Sequence, residues 1–124
     1  MSQAEWAKNW KRINKHRKAT TRDAKNGDAK RWSREVGSEA QYSPVNFGDD
    51  NAVRELELRC IEQGIMIRST QNKRTYYLYA GFPVGWCCGT ITSYVHAEWH
   101  QSGGVIHGRP ICEKCLKMKP GVQL

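Results

Sequence analysis

The sequence predicts an α+β fold, with basic helices at the N-terminus, a central helix followed by a β-hairpin, and a C-terminal zinc-stabilised Cys/His-rich segment. Three observations carry this. Positive charge is concentrated at one end: residues 1–40 hold eleven Lys/Arg against five Asp/Glu, a net of +6, and residues 41–124 add only +2 to the overall +8. In mid-chain a capped helical pattern runs straight into two β-branched and aromatic runs. Four of the five cysteines and three of the four histidines crowd into Cys87–Cys115. The expected division is a basic helical arm, 1–40, and an α+β domain, 41–124, that ends in the zinc-binding segment.

Taken in order, Trp6, Trp10 and Ile13 recur at i, i+4, i+7 and predict a helix from Ser2 to about Thr20. Lys25–Asp28 ("KNGD") reads as a turn, with Asp28 capping a short helix that carries Trp32 and Val36. Ser38–Asp50 is rich in turn formers and reads as a linker. Asp49 or Asp50 then caps a helix whose apolar face is Val53, Leu56, Cys60 and Ile61, and Gly64 stops it. Cys60, mid-helix on that face, is a core thiol. Ile65–Thr70 and Thr75–Phe82, joined by "QNKR", predict a hairpin. Its alternation puts Tyr77 and Tyr79 on one face and Tyr76 and Leu78 on the other, one face for the core and one for core or base stacking. Thr90–Val95 and Val105–Gly108 are further strand signals, "CEKCLKM" opens a helical turn, and "KPGVQL" is a tail.

The chain has 124 residues, 39% of them apolar, which gives a modest core and a place for an extra staple such as a metal. No apolar run approaches a membrane span, and Met1 opens no signal-like segment. A cytoplasmic protein with no membrane association is expected. Five cysteines are an odd number, and thiols grouped with histidines in a reducing compartment point to metal.

"CEKC" gives Cys112 and Cys115 the spacing at which two thiolates meet one tetrahedral ion. Cys88, followed by Gly89, is the preferred third ligand, and His96 is ranked first as the fourth, because it and Cys88 flank "TITSYV". His100, His107 and Cys87 stay open as alternatives; Cys87 ranks low because adjacent cysteines rarely chelate one ion comfortably. Four protein ligands would close the site, and favour a structural over a catalytic zinc.

"HAE" at His96–Glu98, with the later "PICEKC", is similar to the zinc nucleobase deaminase signature H-x-E…P-C-x-x-C. The resemblance implies His96, Cys112 and Cys115 as zinc ligands and Glu98 as the general acid/base. It covers about a fifth of the chain, and the sequence departs from the pattern. Ile111 separates Pro110 from Cys112, only thirteen residues lie between Glu98 and Cys112, and little chain follows Cys115.

On the basic arm, Lys8, Lys11, Arg12, Lys15, Arg17, Lys18, Arg22, Arg31 and Arg34 are the expected phosphate contacts. Tryptophans among them suit base stacking. The expected function is that of a small basic zinc protein that binds DNA, RNA or a nucleic-acid-processing complex as a regulatory or accessory factor, of the kind phages encode. One alternative is a zinc-dependent enzyme on nucleic acid, deaminase-like or a nuclease using His100 or His107. The other is an inhibitor acting by protein–protein contact, since an acidic protein would meet the same charge.

Overall fold

A computed structural model describes residues 8–20, 39–70, 72–101 and 103–124. Its centre is a four-stranded antiparallel sheet in the order β2-β3-β6-β7, made of β2 (Ile65–Ser69), β3 (Lys73–Tyr79), β6 (Tyr94–His100) and β7 (Val105–Ile111). A second sheet of three short strands, β1 (Gln41–Tyr42), β4 (Gly85–Cys87) and β5 (Thr90–Thr92), runs in the order β1-β4-β5. Three helices complete the described fold: α1 (Pro44–Phe47), α2 (Asp50–Gln63) and α3 (Glu113–Lys117). Helices and sheets together bear out the α+β class.

Helix α2 forms as its sequence dictates. Asp49 is the N-cap, its side chain accepting from Asn51 N at 3.0 Å. Val53, Leu56, Cys60 and Ile61 are buried and cluster with Val95, Ala97 and Ile106 of the large sheet. Each aliphatic side chain withdrawn from water contributes roughly 1.5–3 kcal/mol, so this face and not helix propensity docks α2. Cys60 is a core thiol, with its Sγ 3.6 Å from Val95 O. Gly64 ends the helix in extended backbone, φ −76°, and it is glycine because of space: an added Cβ would meet Cys60 O at 2.3 Å and Tyr77 O at 2.6 Å.

The hairpin holds as well, with Ile65 opposite Tyr77 and Ser69 opposite Arg74. Both faces of β3 serve the core over part of its length. Tyr76 and Leu78 pack on the α2 side and buried Tyr77 on the other, whereas Tyr79 is exposed and lies 5.0 Å from the Tyr94 ring.

Two expectations change. The Ser38–Asp50 stretch is not a mere linker, since Ala40, Gln41, Tyr42 and Phe47 are all buried and supply β1 and α1, the latter started by Pro44. Nor do residues 8–20 form a helix. They run alongside β7 as Trp10 bridges Ile106 in parallel, with Lys11 N→Ile106 O at 2.8 Å and Ile106 N→Asn9 O at 2.9 Å, and make a single 3₁₀ turn at Asn14–His16. Pairing with the open edge of β7 satisfies backbone groups that would otherwise face solvent, and this outweighs a narrow helical stripe of three apolar residues. Gln41 clasps the segment: its Oε1 accepts from Lys18 N and Ala19 N, and its Nε2 donates to Lys15 O at 2.6 Å. The turn at Lys25–Asp28 and the helix carrying Trp32 fall outside the described residues.

Glu57 ties these layers together. Its buried carboxyl accepts from Tyr42 Oη at 2.6 Å and from Trp10 Nε1 at 2.8 Å. Burial pushes its pKa up to about 7, against the smaller opposing effect of those hydrogen bonds. A raised folded-state value means this group's stability is fully present below about pH 4.5 and is lost as pH rises through 7. Relative to Glu57→Gln, the wild type should therefore lose up to about 3 kcal/mol between pH 4.5 and 8 in denaturant titrations. A difference that does not vary with pH would contradict this.

Candidate metal centre and the histidine face

β4 and β5 are joined by a two-residue turn, Cys88–Gly89, with Cys87 paired to Thr90. Both turn residues have positive φ, 53° at Cys88 and 75° at Gly89, the signature of the hairpin turn whose twist matches its strands. The left-handed step at Cys88 brings its Sγ to 3.8 Å from Cys87 Sγ, so the adjacent thiols converge. From the other side, β7 delivers Cys112 as the N-cap of α3, with Cys115 in its first turn. Cys115 Sγ lies 3.8 Å from Cys87 Sγ and 3.1 Å from Cys88 Sγ, and all four sulfurs fall within 4.8 Å of one another.

This cluster could hold a metal ion. In a tetrahedral thiolate site with bonds of about 2.3 Å the sulfurs stand about 3.8 Å apart, and the two Cys87 separations match. Cys87, Cys112 and Cys115 are buried and Cys88 is half-buried, within a second core that includes Ala40, Tyr77, Ile111 and Leu116. Burial first, and the neighbouring thiols after it, push the Cys87 pKa up to about 12 and that of Cys115 upward too. A cation is the group that reverses such a bias, because it favours the thiolate form.

Of the four ligands ranked first in the sequence, Cys88, Cys112 and Cys115 come together and His96 does not; Cys87 takes the fourth corner. His96 belongs to β6, opposite Arg109 and Tyr77, and is only 2% exposed. The deaminase-like set of His96, Cys112 and Cys115 around Glu98 is therefore not assembled. The physical reason is that "YVHAEWH" is a strand and not the start of a helix. Val95, Ala97 and Trp99 turn to the α2 side, while His96, Glu98 and His100 share the opposite face. That period-two alternation was present in the sequence.

The register of β6 with β7 sets Glu98 opposite His107 and builds a polar cluster on this second face. Glu98 Oε2 is 3.2 Å from His100 Nε2 and 3.7 Å from His107 Nε2, and the two imidazoles stack with centroids 5.2 Å apart. Lys73 Nζ sits 3.7 Å from Glu98 Oε1. Burial, then Arg109 and Lys119, lowers the His96 pKa to about 3, so this imidazole is neutral at pH 7. His107 is lowered as well, by burial first. Glu98 is the acidic partner that sequence reasoning did not find for His100 and His107.

The predicted phosphate contacts divide. Lys8, Lys11 and Lys15 are exposed. Arg17, with only 5% of its side chain exposed, binds Asp50 at 2.6 Å, Arg12 reaches the same carboxylate at 3.2 Å, and Lys18 pairs with Glu39 at 3.1 Å. Arg22, Arg31 and Arg34 lie outside the described residues. No helix among the described residues is long and apolar enough to cross a membrane. Comparison with family models, curated proteins and solved structures gives no match to this chain.

The turn geometry is testable on its own. Gly89→Ala is expected to cost about 1–2 kcal/mol of stability, because the left-handed backbone at φ 75° repels a Cβ. Gly103→Ala, whose added Cβ would have its nearest neighbour at 3.9 Å, should change thermal unfolding little. Equal effects would contradict the turn.

Proposed function

We propose that Cys87, Cys88, Cys112 and Cys115 hold one structural zinc ion, and that the protein is a small basic factor that binds nucleic acid in an accessory or regulatory role. The observation that carries the first half is the convergence of four sulfurs within 4.8 Å. Four thiolates fill a tetrahedron and leave no position for substrate, which supports a staple rather than a catalytic ion. The staple has a clear task. Helix α3 has only five residues, and its docking face consists of Cys115 and Leu116. A helix that short does not persist unaided. Free thiols of this kind suit a reducing compartment such as the cytoplasm.

The nucleic-acid half rests on the net charge of +8 and on where cations without an ion pair among the described residues gather. Lys11 and Lys15 act on His107, and Arg109 and Lys119 act on His96, so they gather on the sheet face that carries Glu98. Arg12, Arg17 and Lys18, held by Asp50 and Glu39, are assigned to structure instead. Such a face suits the phosphate backbone. An acidic protein would use the same charge and is the other outcome of the test below.

Protein purified without added metal should carry zinc by elemental analysis, and Cys112→Ser should lose it. In that variant amide exchange should accelerate over residues 113–117 while α2 keeps its protection; unchanged exchange would contradict a staple. Binding to mixed-sequence DNA or RNA should weaken with salt, and Lys11→Gln/Lys15→Gln should reduce the slope of log K against log salt by about 2. A slope that does not change removes these lysines from the interface, and absence of binding at low salt turns the reading toward a protein partner.

A further inference from the structure

We propose that Glu98, His100 and His107 form a second metal site, distinct from the four cysteines and open on one side, which takes a divalent transition-metal ion of the zinc class together with a phosphate group. Three donor atoms on β6 and β7 already converge: Glu98 Oε2, His100 Nε2 and His107 Nε2 lie within 4.8 Å of one another. The separations from Glu98 Oε2 are 3.2 Å and 3.7 Å. An ion bonded at about 2.0–2.2 Å to each donor holds them roughly 3.4 Å apart, so the set needs only side-chain adjustment.

An ion pair alone is a poor account of this arrangement. One carboxylate can be balanced by one cation, and Lys73 stands at the other oxygen of Glu98. Yet two stacked imidazoles both direct Nε2 at the remaining oxygen. Two imidazoles and one carboxylate are a donor set suited to zinc and its neighbours in the first transition row, and three protein ligands leave room for an exogenous one.

The second observation lies next to the donors. Glu98 and His107 line a cavity of about 240 Å³ with Lys15, His16, His96 and Arg109. Buried His96 Nε2 and buried Arg109 Nη1 have no hydrogen-bond partner among the described residues. A buried polar atom without a partner is destabilising, more so when charged, so two in one cavity call for a ligand that offers acceptors. Lys11, Lys15 and Lys119 bias the surroundings toward an anion. A tetrahedral oxyanion can reach the metal with one oxygen and present others to the guanidinium and the imidazole. Free phosphate and a nucleic-acid phosphate share this chemistry. The nucleic-acid source rests on the function proposed above, whereas the metal and free-phosphate parts do not.

The test is a zinc titration of the full chain followed by native mass spectrometry. Wild type should bind two ions per chain. Glu98→Gln and His100→Ala/His107→Ala should each bind one, and retention of that ion on the cysteines reports that the variant is folded. If the double variant fails to fold, the near-isosteric Glu98→Gln decides alone. One ion in wild type at tenfold excess zinc, or two in folded Glu98→Gln, overturns the site. Millimolar inorganic phosphate should tighten the second ion at least fivefold in wild type and not in Arg109→Met, while both proteins keep two ions. No tightening in wild type overturns the phosphate half. A short oligonucleotide replaces inorganic phosphate in a parallel arm. Tightening by both assigns the site to the nucleic-acid backbone, and tightening by inorganic phosphate alone assigns it to free phosphate, which leaves the metal site standing and counts against the nucleic-acid source.

Discussion

The antiparallel pairing of β6 with β7 is the constraint on which the rest of the structure depends. Its register, Tyr94 opposite Ile111 through His100 opposite Val105, sorts every side chain of two seven-residue strands in one step. Val95, Ala97 and Ile106 go to α2 and the main core, while His96, Glu98, His100 and His107 go to the other face. A slip of one residue would bury the histidines against α2 and expose the core set, a loss of many kcal/mol, so the hydrophobic side of the strands fixes the geometry of the polar side. The outer edge of β7 receives residues 9–11, and its end leads into Cys112. Core, histidine face, N-terminal docking and cysteine cluster all follow from one ladder.

The two clusters have different chemistry because their surroundings differ. The sulfurs are enclosed by Ala40, Tyr77, Ile111 and Leu116, with a hairpin on one side and a short helix on the other. Such a setting shields Cys87, Cys112 and Cys115 from water, leaves Cys88 half-exposed, and makes the cluster a junction between chain segments. The Glu98 cluster is half-buried, lies in a sheet face and is surrounded by cations, where small ligands can arrive. On the readings proposed above, a fold with a small core gains rigidity from the first and takes its ligands at the second.

Much of this was legible in the sequence, and the failures have physical causes. The capped α2, its buried face, the hairpin and the grouping of Cys88, Cys112 and Cys115 rest on local signals that the tertiary structure reinforces. Cys87 was undervalued because adjacent thiols point apart in ordinary backbone; the left-handed Cys88 removes that objection, and "CCG" between strand residues was its one cue. The strand through "YVHAEWH" is obscured by the polar His96, Glu98 and His100 at every second position, although Val95, Ala97 and Trp99 alternate plainly. The N-terminal stripe suggested a helix, but a helix cannot cap the β7 edge or place Trp10 Nε1 on buried Glu57. That preference is long-range and has no local signature.

The most direct measurement is X-ray absorption at the zinc edge on protein holding one equivalent of zinc. The account predicts a first shell of four sulfurs at about 2.3 Å with no nitrogen. A shell mixing sulfur with imidazole nitrogen would return His96, His100 or His107 to the cluster in place of Cys87 and contradict the closed four-thiolate site.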